Sequence, residues 1–474
     1  MACAIVDNEV PAFVNEVLGK TTEVPPGTKK VFTVKEKPIL VINDSGKFYA
    51  ISGICSHYNY SLENGIYSKG RIRCPLHGAC FNIKTGDIED YPGFDSLFSY
   101  DVKDIDGDLV LSTTEQQLAS SRRTRKATVA TMFDDVPLVV VGGGISASSF
   151  IEHARLNGCS TPITVITEED SPPYDRVLLS KVVDLDLTRR LVYLSDGESM
   201  RYSKLVLALG CTPKKLNVPG EHLKNVYTLR VVHDANSIVA ASHGKHVVCI
   251  GGSFIGMEMA SSLIDISASV TVVCSTDQPL PALGSDIGSV IRNRFEAKGV
   301  RIIVNALTER LEGDVDVTGV VLKSGETLPA DVVVIGIGVQ PPTDWLKNTT
   351  IELDQHGFIQ VDHLFRTTAD WVYAIGDVVT APLSLWDIDS KNIQHFQTAQ
   401  THGCADGSTK TIIHGNVNDL VFVKYYLKDD VVVAVASAGP MTTAIQFMEI
   451  FSRKIEITND DVEKNTTDDW MEWL

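Results

Sequence analysis

Two short segments decide how the N-terminal part of this chain folds: ICSHYNYSLENG at residues 54–65 and RCPLHGACFN at residues 73–82. Each carries a cysteine followed closely by a histidine, and the second segment has a further cysteine, Cys80. Thiolate is a soft ligand that suits iron and sulfide, and neutral imidazole suits iron, zinc and copper. The pattern therefore predicts a metal centre with four protein ligands from two loops, namely Cys55, His57, Cys74 and His77.

The mixture of donors in each segment separates two kinds of metal centre. A 2Fe–2S cluster with cysteines on one iron and histidines on the other needs this mixture, because each loop must reach both irons. A structural zinc site is the alternative, although zinc fingers usually place both cysteines in one turn and both histidines in another. The two segments resemble Rieske domains at all four ligand positions. That resemblance implies a Rieske-type 2Fe–2S cluster, which passes single electrons.

Four further positions distinguish the segments from the Rieske proteins of respiratory complexes. Those proteins have an extra cysteine in each loop, forming a disulfide, where this chain has Tyr60 and Leu76. They also have a serine and a tyrosine that donate to cluster sulfur, where this chain has Ala79 and Phe81. Such hydrogen bonds raise the potential because they stabilise the more negative reduced cluster. The resemblance is thus to Rieske ferredoxins, with a low potential and a free, buried thiol at Cys80.

Composition limits the possible partners. The 474 residues predict about three domains. They are 44% hydrophobic, and their formal net charge of −18 argues against nucleic acid or an anionic membrane as a main partner.

The nine cysteines lack the spacing of a secreted scaffold and predict a reducing compartment. We expect no membrane span. The N-terminus lacks an apolar signal core and an Arg-rich leader, so a cytoplasmic location is expected, with a mitochondrial one as the alternative.

The first 135 residues divide into a β-rich part and a polar part. Residues 10–113 contain short apolar strands between frequent turns, which predicts a small antiparallel β domain around the two ligand loops. Residues 114–135 are polar and have no hydrophobic period, so we interpret them as a linker. The basic run Arg122–Lys126 is either solvated linker or a binding patch.

A first dinucleotide-binding pattern lies at 137–150, PLVVVGGGISASSF. Its apolar run fits a buried parallel strand that leads into a G-x-G-x-x-A loop and a helix. Gly142 permits the tight turn, Gly144 lets the backbone approach a pyrophosphate, and Ala147 allows close helix–strand packing. The helix N-terminus favours that anion. The next strand ends at Glu168, which is placed for ribose hydroxyls.

A second copy lies at 246–263, HVVCIGGSFIGMEMASSL. Its phosphate loop contains Gly251, Ser253 and Gly256. Ser253 replaces the middle glycine, and we expect its Cβ to crowd a pyrophosphate. The following strand ends at Cys274, where an acid would mark NAD, and Ser275 stands where an arginine would favour a 2′-phosphate. We expect NAD(P)H here, with NADH favoured. A Rossmann fold kept only for structure is the alternative.

Two dinucleotide folds in one chain indicate a two-cofactor flavoenzyme. Later segments resemble the FAD-dependent pyridine nucleotide-disulphide oxidoreductase superfamily, namely PPYDRVLLSK at 172–181, ADVVVIGIGVQPPTDWL at 330–346 and WVYAIGDVVTAP at 371–382. The first of them contains no cysteine, and no C-x-x-C motif occurs in the chain. Thiol exchange is therefore excluded as the mechanism, and ferredoxin reductases are the nearer resemblance.

That resemblance implies further site residues. Arg176 and Lys181 would lie on the flavin side, although Lys181 could equally be a surface lysine. The aspartate of Gly376-Asp377 would hydrogen-bond the FAD ribityl chain. Glu258 is similar to a glutamate near nicotinamide in relatives, with an ordinary helix residue as the alternative. Lys181 and Glu258 are the catalytic candidates, and two more cofactor-binding candidates are Gly338 and Phe396, the latter where relatives usually have tryptophan.

The domain order resembles Rieske-containing apoptosis-inducing-factor-like flavoproteins of the apoptosis-inducing factor 3 type over residues 10–460. One departure follows Gly403, where relatives have a longer segment that opens the C-terminal domain. That domain, 404–460, is therefore expected to be truncated, with a hairpin that turns at Asp429-Asp430 and then a helix. We expect the acidic tail, 461–474, to be disordered.

The predicted fold is a multidomain α/β plus β arrangement. It has an antiparallel β Rieske domain, two Rossmann-like domains for FAD and NAD(P), and a C-terminal α+β domain. The FAD domain is expected in two parts, 136–240 and 331–403, on either side of an NAD(P) domain at 241–330.

The predicted function is that of an NAD(P)H-dependent oxidoreductase that passes electrons through FAD to the cluster and then to an unknown acceptor. One alternative is a non-catalytic redox-sensing or apoptosis-signalling protein. Another is a flavin reductase of quinone-like acceptors in which the cluster is incidental. The sequence leaves the oligomeric state open.

Overall fold

The computed structural model describes residues 13–130, 136–167, 182–194, 198–383, 388–392, 410–440 and 442–474. These residues form two compact units. The first unit comprises the described residues up to Ala127, with 410–414 and Phe422–Leu474; the second comprises those from Thr128 to Asn392, with Gly415–Val421. No helix in the described ranges is long and apolar enough to cross a membrane.

The first unit begins with a β domain. In chain order its strands are β1 (Phe13–Lys20), β2 (Lys29–Val34), β3 (Lys37–Asp44), β4 (Lys47–Ser52), β5 (Ile66–Ser68), β6 (Arg71–Arg73), β7 (Cys80–Asn82), β8 (Ile88–Asp90), β9 (Ser96–Leu97), β10 (Ser99–Ile105) and β11 (Asp108–Thr114). Six of them form an antiparallel base sheet in the order β1-β11-β10-β4-β3-β2. Alternate apolar side chains such as Val34, Ile39 and Leu111 fill the core beneath it.

A second, smaller sheet carries the ligand loops. Strands β5, β6, β7 and β8 pair antiparallel in chain order. One ligand loop connects β4 to β5, and the other connects β6 to β7. The core of this part contains both ligand cysteines, Cys55 and Cys74, beside Leu62, Ile72 and Phe81. The predicted antiparallel β domain is therefore confirmed.

The start of the predicted linker is ordered against this domain, which corrects the prediction. Helix α1 (Glu115–Ala119) begins with a capping box at Thr114, and β12 (Arg122–Arg123) pairs with β9. The Arg123 guanidinium donates to the Leu97 carbonyl over 3.1 Å and forms an ion pair with Asp87. Part of the basic run is thus a structural contact, which sequence periodicity missed because the paired strand is only two residues long.

The second unit contains both dinucleotide folds. Its strands are β13 (Leu138–Val141), β14 (Ile163–Ile166), β15 (Val182–Asp186), β16 (Leu191–Leu194), β17 (Ser199–Arg201), β18 (Leu205–Leu207), β19 (Thr212–Pro213), β20 (Val226–Thr228), β21 (His246–Ile250), β22 (Ser269–Val273), β23 (Arg301–Ile303), β24 (Thr308–Glu312), β25 (Gly319–Leu322), β26 (Thr327–Pro329), β27 (Val332–Ile335), β28 (Val339–Gln340), β29 (Ile359–Gln360), β30 (Val372–Ala374), β31 (Val379–Leu383) and β32 (Ile388–Asn392). Its helices are α2 (Ile145–Leu156), α3 (Val232–Ser242), α4 (Phe254–Leu263) and α5 (Ser285–Ala297).

The first dinucleotide fold is a parallel sheet in the order β14-β13-β18-β30. Its last strand, β30, returns from far along the chain, so the predicted second part of the FAD domain completes the sheet of the first part. Val139, Val141 and Leu207 lie on the core side with almost no exposure. The observed sheet order fits a doubly wound α/β fold.

The second dinucleotide fold is a parallel sheet in the order β20-β27-β21-β22-β23. It includes β20 and β27, which lie outside the predicted range of 241–330. Both strands lie in the ranges assigned to the FAD domain, because only their pairing in the folded sheet shows which fold they join. Antiparallel strands β24, β25 and β26 cover one side of this sheet.

The C-terminal segment forms a sheet and two helices. Strands β33 (Lys410–Asn416), β34 (Val421–Lys428) and β35 (Val431–Ala438) are followed by α6 (Thr443–Ser452) and α7 (Asn459–Lys464). The hairpin turns at Asp429 and Asp430, both at positive φ, as predicted.

The acidic tail is ordered, contrary to our prediction of disorder. Trp470 is fully buried among Tyr425, Phe447 and Ile450. Its Nε1 donates to the Tyr425 hydroxyl over 3.0 Å, and that hydroxyl donates to Asp468 over 2.7 Å. The acidic composition misled the prediction because a single buried aromatic residue fixes the segment.

Truncating this side chain should loosen the C-terminal segment. We expect Trp470→Ala to destabilise it by about 3–5 kcal/mol, the usual cost of removing a buried aromatic side chain. Hydrogen exchange of the β34 and β35 amides should accelerate accordingly. Trp473→Ala removes an exposed tryptophan from the same tail and should leave exchange unchanged. Equal exchange in both variants would contradict the role given to Trp470.

Candidate cluster and dinucleotide sites

The two ligand loops share one backbone pattern. In each loop the cysteine N–H donates to the carbonyl five residues later, and the cysteine carbonyl accepts from the N–H four residues later. The four bonds are Cys55 to Tyr60 (2.8 Å), Asn59 to Cys55 (3.0 Å), Cys74 to Ala79 (2.7 Å) and Gly78 to Cys74 (3.0 Å). Each loop is therefore closed on itself, with its histidine inside the closed turn.

The two cysteine sulfurs lie together in the interior. Cys55 and Cys74 are 1% and 2% exposed. A hydrogen bond between them raises the pKa of Cys55 and lowers that of Cys74 to about 7. Backbone N–H groups also favour thiolate, from His57 and Tyr58 toward Cys55 and from Leu76 and His77 toward Cys74. The loops thus supply paired soft donors, with the thiolate favoured at Cys74.

The two histidines form the other pair of donors. The ring centroids of His57 and His77 are 5.1 Å apart, and the ring of Tyr58 contacts both. Burial lowers the pKa of His77, which favours the neutral imidazole that binds metal. Both rings are only half-buried, so this side of the centre lies closer to the solvent than the cysteines do.

This arrangement fits a cluster with two irons. Cysteine is grouped with cysteine and histidine with histidine, so each iron would receive two protein ligands and two sulfides. In keeping with this division, no three Cys, His, Asp or Glu side chains of the described residues converge as ligands of a single ion. Bound here, the cluster would supply one-electron transfer.

The low-potential expectation depends on four residues whose positions the structure describes. Tyr60 and Leu76 are exposed, and neither can form a disulfide. Ala79 and Phe81 are fully buried and carry no hydroxyl group. Burial raises the pKa of the free Cys80 thiol to about 11, which fits an inert, neutral core residue.

The first phosphate loop has the geometry that a dinucleotide needs. Gly142 has φ +119, and a Cβ there would lie 2.2 Å from the Ala208 carbonyl oxygen. Gly144 is the N-cap of α2 and leaves the cap without a side-chain hydrogen bond. Ala147 is fully buried against Val140 and Val206. The helix N-terminus is therefore open to an anion.

The returning chain brings Gly376 and Asp377 to this loop. Gly376 has φ +79, and a Cβ there would lie 2.3 Å from the Ser146 Oγ at the start of α2. The carbonyl of Asp377 accepts hydrogen bonds from Asn392 Nδ2 (2.7 Å) and Cys211 Sγ (3.4 Å). Sequence reasoning did not single out Asn392 and Cys211, since only the folded chain shows that they contact Asp377. The structure thus brings together Gly142, Gly144, Ala147, Gly376 and Asp377.

The second phosphate loop differs at its middle position. Gly251 has φ +120, and its Cβ would lie 2.2 Å from the Gly336 carbonyl oxygen, while a Cβ on Gly256 would lie 1.9 Å from the Gly251 carbonyl oxygen. Ser253 has an ordinary extended backbone, and its Oγ accepts from the Gly256 N–H (3.3 Å) and donates to the Gly336 carbonyl (2.7 Å). The serine therefore occupies one N–H group at the helix N-terminus, besides adding a Cβ.

The remaining predicted residues of this fold are spread over its surface and core. Cys274 is fully buried, and its Sγ would lie 2.4 Å from a Cβ on Gly252, so it underlies the loop. Ser275 is the first exposed residue after β22. Glu258 is exposed on α4, and Gly338 is exposed at φ +101.

Four predicted site residues lie outside the described residues, together with the shortened segment after Gly403. These residues are Glu168, Arg176, Lys181 and Phe396.

Comparisons with known proteins match both parts of the chain. Residues 15–101 match the Rieske 2Fe–2S domain family, and residues 180–403 match the pyridine nucleotide-disulphide oxidoreductase family. These matches establish a 2Fe–2S cluster, FAD and NAD(P)H as the cofactors, in place of the zinc alternative.

Individual proteins agree with the family matches. The chain is 33% identical to human apoptosis-inducing factor 3 over 509 residues, covering 92% of this chain and 84% of that protein. It is 29% identical to a probable ferredoxin reductase of Castellaniella defragrans over 53% of this chain and 69% of that one. The crystal structure of the covalent putidaredoxin reductase–putidaredoxin complex has a TM-score of 0.65 at 20% identity, covering 71% of this chain and 97% of that one. The last likeness concerns the fold alone.

A hydroxyl placed beside the cluster should raise its potential. We expect Ala79→Ser to raise the reduction potential by roughly 30–60 mV, since 59 mV is a tenfold change for a one-electron couple and a donor to sulfur stabilises the reduced cluster. Redox titration followed by EPR measures the shift. Ala119→Ser adds the same hydroxyl at an exposed position on α1 and should leave the potential unchanged. A potential that stays constant or falls in Ala79→Ser would contradict the expected hydrogen bond.

A side chain at Gly142 should weaken FAD binding. The added Cβ meets the Ala208 carbonyl and strains a left-handed backbone, so we expect Gly142→Ala to lower FAD affinity at least about tenfold, or about 1.4 kcal/mol. Fluorescence titration of the flavin-free protein with FAD measures this. Gly158→Ala has a similar positive φ but no atom within 4 Å of its Cβ, and should bind FAD normally. Equal FAD affinities of the two variants would contradict a role of the tight turn at Gly142 in FAD binding.

Proposed function

This chain belongs to the apoptosis-inducing factor 3 family, and we propose that it passes electrons from NAD(P)H through FAD to its Rieske cluster and on to an acceptor protein. It is an FAD-dependent NAD(P)H oxidoreductase with a fused Rieske domain. The order of the electron carriers and the acceptor are the proposed parts.

The observation that carries the proposal is the presence of two-electron and one-electron cofactor domains in one chain. Nicotinamide gives up electrons in pairs and a Rieske cluster takes one at a time, so a flavin is needed between them. The chain has no C-x-x-C motif, and the described cysteines are free. This supports the cluster, rather than a pair of thiols, as the group that passes electrons to the acceptor.

In this proposal the residues of the chain bind and orient the two nucleotides. Gly142 and Gly144 admit the FAD pyrophosphate to α2, Glu168 binds the adenosine ribose, and Asp377 orients the ribityl chain. Arg176 and Lys181 would contribute to flavin binding. These roles would place the reacting ring at a fixed position relative to the phosphate loop.

The nicotinamide nucleotide has its own set of residues. Gly251 and Gly256 shape the second loop, and Glu258 on the exposed side of α4 orients the nicotinamide. Gly338, exposed after β27, adds no side chain at its position. The exposed Ser275 meets the ribose without a carboxylate or a guanidinium, which leaves NADH only slightly favoured.

The acceptor is proposed to be a protein rather than a small quinone. The half-buried His57 and His77 are the part of the centre closest to solvent, and the adjacent Tyr58 and Leu76 are exposed at 66% and 41%. An exposed apolar rim around the ligands favours contact with another protein surface. The similarity to a probable ferredoxin reductase, whose name indicates a protein as acceptor, supports this class of acceptor.

An anaerobic NADH titration of the holoprotein tests the route. We expect the flavin absorbance to bleach and the EPR signal of a reduced Rieske cluster to appear. Cys74→Ala should still show flavin bleaching but no cluster signal, since one ligand is removed. If NADH reduces neither centre, the protein is not the proposed reductase. If NADH bleaches the flavin while an intact cluster stays oxidised, the route ends at FAD and a flavin reductase of small acceptors is favoured.

A non-catalytic redox-sensing role is the second candidate, and Ser253 favours it. Its Oγ already caps the helix N–H group that a pyrophosphate would otherwise use. This role predicts tightly bound cofactors with NADH turnover near background for every added acceptor. Ser253→Gly would then restore NADH reduction of the flavin, whereas the proposed reductase is already active with serine.

A further inference from the structure

A buried ionic network lies directly behind the second ligand loop. Arg73 immediately precedes the ligand Cys74 and is 2% exposed. Its Nη1 donates to the carbonyl of Gly78 over 2.8 Å. Because Gly78 follows the ligand His77, this single hydrogen bond joins the strand before the loop to the residue after its histidine.

The partner that neutralises Arg73 comes from the other end of the chain. Glu449 on α6 is 3% exposed, and its Oε2 accepts from Arg73 Nη2 over 2.8 Å and from Nε over 3.2 Å. Arg73 also contacts Asp90 over 2.6 Å, but Asp90 is partly exposed. Arg71 lies 3.6 Å from Glu449 at the edge of the network. Glu449 is therefore the buried counter-charge of Arg73.

The helix that carries Glu449 is seated on the same loop. Gly78 has φ +79, and a Cβ there would lie 2.6 Å from the Cε of Met448. Arg453, one turn further along the chain, donates to Ser68 over 3.0 Å at the end of β5. The C-terminal segment and the Rieske domain belong to one compact unit, so α6 acts as a wall of the cluster site.

A buried ion pair beside a ligand loop can act in two ways, through its contribution to stability and through its electric field. Buried pairs often add little stability, because desolvating two charges costs about as much as their attraction returns. Their field, however, is weakly screened in the interior and acts on any neighbouring group that changes charge. The reduced cluster carries one more electron than the oxidised cluster. Its stability therefore depends on charged groups near the ligands, such as Arg73 and Glu449.

We propose that Glu449 is a positioning residue of the Rieske centre. By holding Arg73 against the Gly78 carbonyl it fixes the second ligand loop, and by neutralising Arg73 it keeps the reduction potential of the cluster low. The C-terminal segment thereby sets a redox property of the N-terminal domain. This rests on the cluster and does not depend on the proposed electron route.

The sign of the effect separates this role from a merely structural one. Glu449→Gln keeps the shape but leaves the Arg73 charge without its buried partner, which stabilises the reduced cluster and raises the potential. Arg73→Gln leaves Glu449 as the excess charge and lowers the potential. If the substitutions only loosened the loop, the two shifts in reduction potential would have no fixed relation in sign, or the cluster would be lost.

EPR-monitored redox titration of the full-length holoprotein measures these potentials. We expect Glu449→Gln to raise, and Arg73→Gln to lower, the ratio of reduced to oxidised cluster at a fixed solution potential by about tenfold, which is 59 mV for a one-electron couple. Glu449→Asp keeps the charge and should stay close to the unchanged protein. Glu456→Gln removes an equal charge from an exposed position on the same segment and should have no effect.

Asp90→Asn covers the case in which Glu449→Gln does not retain its cluster. It removes a carboxylate from the same guanidinium while the buried pair stays intact, and we expect a smaller rise. The proposal is overturned if Glu449→Gln and Arg73→Gln shift the potential in the same direction. It is also overturned if the potential stays constant in every charge-removing variant that retains the cluster.

Discussion

The closure of two short loops around a cysteine and a histidine each is the constraint on which the cluster domain depends. The same pair of backbone hydrogen bonds closes both loops, and this places sulfur beside sulfur and imidazole beside imidazole. The small sheet and the base sheet bring the two loops together. The sulfurs are buried and the imidazoles are half-exposed. The shortest path for an electron between the cluster and the protein surface is therefore on the histidine side.

The dinucleotide folds obey a comparable constraint of close backbone approach. Gly142 and Gly251 leave no room for a Cβ, since each faces a carbonyl oxygen at 2.2 Å. The two folds then differ at one position of the loop. Gly144 leaves the helix N-terminus open, whereas Ser253 caps it. The N-terminus of the helix that follows the first loop is therefore the more open of the two.

Local patterns in the sequence predicted the fold classes, and they located the two cysteine–histidine loops and the two glycine-rich loops, because each is encoded within a few neighbouring residues. Contacts between distant segments were not predictable in this way. Glu449 lies 376 positions from Arg73, and no property of either neighbourhood indicates the pair. The tail looked disordered from its acidic residues, yet Trp470 and Asp468 bury it. Strands β20 and β27 lie in ranges that were assigned to the FAD domain, since only the assembled sheet shows which fold they join.

The central claim is that electrons pass from flavin to cluster within one chain. Rapid mixing of the oxidised holoprotein with NADH, with flavin absorbance followed by stopped flow and cluster EPR by freeze-quench, tests it most directly. The account predicts that the flavin is reduced first and that the cluster signal then grows at a rate independent of protein concentration. A cluster signal whose rate increases with protein concentration, or one that precedes flavin reduction, would contradict it.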